Sequence, residues 1–138
     1  MVVDPILEPW RWRHEEALRE VGAICMDEAP DGTLWFGGTG CVASYDGQRV
    51  ERIPFDDQLL GMITHRKVTP WAKALLVLED ESLLVLVGES LVRWRDGDWQ
   101  VVVQDVGYSE FSARLQRADD GVFRLLVHDY LWRVSACL

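Results

Sequence analysis

The side chains here that could do chemistry are three histidines, three cysteines, clustered carboxylates and seven tryptophans, and their spacing limits what they can do. His14-Glu15-Glu16 begins like a helical zinc-protease signature, which needs a second histidine four positions on; Leu18 stands there, so no catalytic metal is expected. The acidic groups Asp56-Asp57, Glu79-Asp80-Glu81 and Asp119-Asp120 fall at turn signals, and nothing in their spacing pairs an acid with a base. Gly37, Gly38 and Gly40 lack the following helix and lysine of a phosphate loop, and no nucleophile motif is visible. The chain is therefore expected to be non-enzymatic, with no cofactor.

Binding is the remaining option. His65-Arg66-Lys67 is the densest basic cluster and lies in the longest connection, Asp56 to Pro70, just before Trp71. Loops on a rigid scaffold commonly carry binding groups, so His65, Arg66, Lys67 and Trp71 are candidate contacts for a ligand or partner, against the plainer reading of a solvated loop tip. Trp10 joins them from Pro9 to Glu20, where Trp-Arg-Trp-Arg alternates as an edge strand does and a helix-favouring run follows. Trp35, Trp94 and Trp132 occupy strand positions and are expected to be structural. Cys25, Cys41 and Cys137 are odd in number, lack C-x-x-C spacing and sit in apolar runs, which predicts buried thiols and a reducing cytoplasm.

Composition narrows the classes further. A formal charge of -9 and a pI near 4.7 argue against a nucleic-acid partner, which requires clustered cations. No run of 18 apolar residues marks a membrane span, and the first residues lack a secretory pattern. With 138 residues, 49% of them hydrophobic, one domain over residues 1–138 is expected.

The elements that must position these groups are short strands. From Ala23 to Val50, apolar runs alternate with Asp31-Gly32, the glycines 37 to 40 and Asp46-Gly47, so four antiparallel strands are expected by Phe55. Matching Asp46-Gly47 to Asp96-Gly97 repeats the pattern at an offset of 50, with Glu81-Ser82 in place of the first Asp-Gly. Matching Asp31-Gly32 to Asp120-Gly121 repeats it at 89. Three repeats result, at about 22–55, 71–103 and 112–134. The middle one, with ALLVL and LLVLV, reads as covered on both faces.

The run D-G-x-L-W-F-G followed by Y-D-G resembles the two-component regulator propeller repeat, over residues from about 22 to 134. The resemblance implies β-propeller blades and sensor domains of signalling proteins, often outside the membrane, and assigns no catalytic residues. The expected fold is an all-β array of three four-stranded blades, the third completed by strand 9–14. Three blades are fewer than the roughly four to eight of a closed ring, so completion in trans in a six-bladed homodimer is expected, against a fragment of a longer propeller. The expected function is a non-enzymatic interaction module presenting rim loops to a protein or small ligand. The alternative is a sensor fragment that recognises a glycan or other polar ligand at the channel.

Overall fold

Apolar runs bounded by Asp and Gly fold into three successive antiparallel sheets in the computed structural model, which describes residues 15–63, 70–107, 113–118, 122–127 and 130–135. The first sheet is β1 (Cys25–Glu28), β2 (Leu34–Gly37), β3 (Cys41–Tyr45) and β4 (Val50–Pro54), paired in that order. The second is β5 (Ala72–Val77), β6 (Leu83–Val87), β7 (Ser90–Arg95) and β8 (Asp98–Val103). The third is β9 (Ala113–Arg117), β10 (Phe123–Val127) and β11 (Tyr130–Val134), also in chain order. A 3₁₀ helix (Glu16–Val21) precedes β1, and an α-helix, α1 (Asp57–Met62), lies between β4 and β5.

The sheets repeat in register. Leu34, Leu83 and Phe123 each open the second strand, opposite Glu28, Val77 and Arg117, and each pairs onward with Tyr45, Trp94 and Val134. Leu83 thus follows Leu34 by 49 positions, one fewer than the Asp-Gly match predicts, while Phe123 follows Leu34 by 89, as expected. The slip has a local cause. Asp96 and Gly97 are both central turn residues between paired Arg95 and Asp98, with φ of 51° and 86°. Asp46 instead stands before its turn and closes it, its N–H donating to Arg49 O at 3.4 Å while its carboxylate accepts from the Gln48 and Arg49 N–H groups. Asp46 therefore corresponds to Arg95.

A one-residue shift moves every strand side chain to the opposite face, and the cores show that 49 is the structural period. Phe36 and Tyr45 face away from the second sheet, in a cluster with Cys41, Ala43 and Val21 of the 3₁₀ helix. Their equivalents Val85 and Trp94 face the first sheet, and Leu125 and Val134 face the second. The second and third sheets thus turn equivalent residues toward the sheet before them, and the first turns its own toward the 3₁₀ helix, so the three stack in one sense. β6 is buried at all five positions, as expected for a strand between two neighbours. The first strands lie beside one another, β1 by β5 and β5 by β9. Asp27 ties them, accepting from Val77 N at 2.8 Å and from Arg117 at 3.4 Å, while the Arg117 guanidinium also donates to Val77 O.

The connection after β4 departs from the expected exposed loop. Asp56 caps α1 by accepting from Leu59 N at 2.8 Å, and Leu59 and Ile63 are buried in the core between the first two sheets. The Gln104 side chain donates to Met62 O at 2.5 Å, fastening the helix end. Gly37 and Gly38 serve close approach: a Cβ on Gly38 would stand 2.2 Å from Val21 O, and one on Gly37 2.5 Å from Cys25 Sγ.

Candidate functional site

The site is assembled from hairpin turns. In the first sheet Asp31 accepts from Thr33 N at 2.9 Å and Gly32 takes φ 89°. In the second, Asp80 accepts from Ser82 N at 3.0 Å and Glu81 takes φ 69°. The two turns are the same device: Ala29 N bonds Thr33 O, and Leu78 N bonds Ser82 O, both at 2.8 Å. The Asp-Gly turn of the second repeat is thus Asp80-Glu81, with a glutamate bearing the left-handed conformation that glycine favours. Behind it, buried Arg93 donates to Ser82 Oγ at 3.1 Å and to Asp80 at 2.5 Å.

These turns and that between β7 and β8 border a cleft of about 320 Å³ at one end of the first two sheets. Trp35 of β2 and Trp94 of β7 form its wall, their ring centroids 6.3 Å apart at 45°, both half-buried. Asp31, Asp80, Glu81 and Asp96 contribute carboxylates and Arg95 one guanidinium, 3.9 Å from Asp80 and 3.6 Å from Asp96. The Thr33 backbone N–H first, and then the Thr33 side chain, hold the Asp31 carboxyl below the usual carboxylate range. The Ser82 hydroxyl does the same for Asp80, with the Ser82 N–H and Arg93 adding to it. Both are anionic at neutral pH, so the cleft is an acidic, aromatic-walled surface suited to binding. Among the described residues no three His, Cys, Asp or Glu side chains are placed to hold a metal ion.

The site proposed from sequence lies elsewhere. Trp71 is 42% exposed and bridges Thr39 beside the start of β5, at the opposite end of the strands from the cleft. Trp10, His65, Arg66 and Lys67 fall outside the described residues, as does strand 9–14. Of the tryptophans expected to fill the core, Trp132 is 36% exposed, donating its indole N–H to Val106 O at 2.8 Å. Among the described tryptophans the buried indole is Trp99, edge-on to Phe55 at 5.6 Å, which its strand position on β8 marks as a core candidate. Cys25 and Cys41 are free thiols; burial pushes Cys25 up to about 11. Among the described residues no helix is long and apolar enough to cross a membrane. No family model, curated protein or solved structure matches the chain.

Proposed function

We propose that the chain is a non-enzymatic interaction module of the propeller type, resembling two-component regulator repeats, in which two copies combine into a six-bladed ring. The carrying observation is the order of elements before each first strand. Ahead of β5 run β4, the cap Asp56 and α1, which packs against β8 of the following sheet. Ahead of β1 run Glu15 and the 3₁₀ helix, which packs against β3 and β4 of its following sheet, with Glu15 accepting from the Tyr45 hydroxyl at 2.9 Å. The 3₁₀ helix stands to the first sheet as α1 stands to the second. On this reading residues 9–14, outside the described residues, would supply the fourth strand of a preceding blade, and the third sheet has three strands among the described residues.

Exposed apolar residues suit this pairing. Arg114, Arg124 and Arg133 surround Leu126 and Leu131 on the outward face of the third sheet, all exposed in an otherwise acidic chain. The free side of the first sheet offers exposed Ile24, Met26 and Glu28, with Arg52 on the same side. Exposed apolar side chains on both faces support a specific contact between them, with Glu28 as one countercharge to the arginines. Deleting Met1 to Arg13 tests the reading: loss of a discrete dimer together with a lower melting temperature is expected, and a soluble monomer of unchanged stability overturns it.

A further inference from the structure

We propose that the cleft walled by Trp35 and Trp94 binds the guanidinium of an arginine side chain on a protein partner. Both sides of the cleft belong to one chain, so the inference rests on the reading as a binding module and is independent of ring closure.

The indoles exceed what packing needs. At the junction of the second and third sheets the same two repeat positions are held by Leu84 and Val134, 0% and 7% exposed. An aliphatic pair therefore seals that junction, whereas at the first the two indoles stay half-exposed along a cleft of about 320 Å³. Indole faces attract cations, and a planar guanidinium can stack on them while its N–H groups reach carboxylates. Three turns bring four carboxylates to the cleft; Arg93 and Arg95 face Asp80, and Arg95 faces Asp96, which leaves Asp31 and Glu81 as the carboxylates with no guanidinium beside them among the described residues. A neutral sugar also stacks on an indole, yet it leaves Asp31 and Glu81 without a countercharge. Arginine answers both features of the wall.

The test is calorimetric titration of the full chain with the tripeptide acetyl-Gly-Arg-Gly-amide, its isosteric citrulline counterpart and maltotriose. Saturable binding of the arginine peptide alone is expected, weakening as salt rises from about 0.05 to about 0.3 M. The double variant Asp31→Asn/Glu81→Gln and the single variant Trp94→Val, which copies the sealed junction, should each weaken binding by about tenfold or more, the scale of one or two such contacts. Should Trp94→Val fail to fold, the double variant at two exposed turn residues still decides. Absence of saturable binding, equal binding of citrulline peptide or maltotriose, or undiminished affinity in the double variant overturns the inference. A dimer that ignores the peptide overturns this inference alone, and a monomer that binds it overturns only the pairing.

Discussion

Glu81 holds a conformation that its repeat partner assigns to glycine, which makes a two-way substitution informative. The φ of 69° places it in the left-handed region, where a side chain costs about 1 to 2 kcal/mol. Glycine at that position removes the cost but adds unfolded-chain freedom of about 0.5 to 1 kcal/mol. Glu81→Gly should therefore stabilise the protein by about 0.5 to 1 kcal/mol. The mirror change is Gly32→Ala, at φ 89° with nothing within 4 Å of the added Cβ, so its cost is conformational alone and of similar size. Urea unfolding followed by tryptophan fluorescence should show midpoints shifted in opposite directions by about 0.3 M, for a slope of about 2 kcal/mol per molar. Glu81→Gln keeps the Cβ and serves as the control for lost charge. If Glu81→Gly lowers the midpoint, or glutamine raises it as much as glycine does, the equivalence of the two turns and the 49-residue register are wrong.

Other expectations follow from packing and charge. Leu59→Ala should cost about 2 to 5 kcal/mol by urea unfolding, since the side chain is fully buried; a loss under 1 kcal/mol would return α1 to the status of an exposed loop. Gly38→Ala should destabilise by more than about 2 kcal/mol because its Cβ meets the Val21 carbonyl, whereas Gly47→Ala, with open space and φ 101°, should cost about 1. With its thiol raised to about 11, Cys25 should alkylate far more slowly near pH 8 than an exposed thiol. Because its folded value is raised, the stability it contributes is full below the ordinary value of 9.0 and is lost as pH climbs toward 11, which Cys25→Ala should remove from the alkaline limb. Asp80 has the opposite sign: its folded value is lowered, so its contribution holds above the ordinary carboxylate range and disappears as pH falls through the folded value. Acid unfolding of Asp80→Asn should accordingly be shallower.

Strands were legible in the sequence where local chemistry dictates them, and the second sheet most of all, because its near-continuous Leu and Val runs end at turn residues. Register was less legible. Two Asp-Gly pairs look alike, yet one encloses its turn and the other starts before it, a difference of backbone hydrogen bonding that a residue match cannot detect. Glu81 hid a turn by taking a glycine conformation that only neighbouring structure enforces. α1 did leave a signal, since Asp56 is a good cap and Leu59, Leu60 and Ile63 share helical spacing, but Gly61 and the turn-like start masked it. The cleft had no linear trace. Its carboxylates come from three turns up to 65 positions apart, and only the stacking of sheets brings them to two indoles.

The proposed twofold pairing of the three stacked sheets into one ring is most directly tested by the mass of the full chain in solution. Light scattering across a concentration series should return twice the 15.8 kDa chain mass and no larger species, since a closed ring leaves no further blade face free. A monomer at every concentration, or a mass that keeps growing as open stacking would produce, contradicts it.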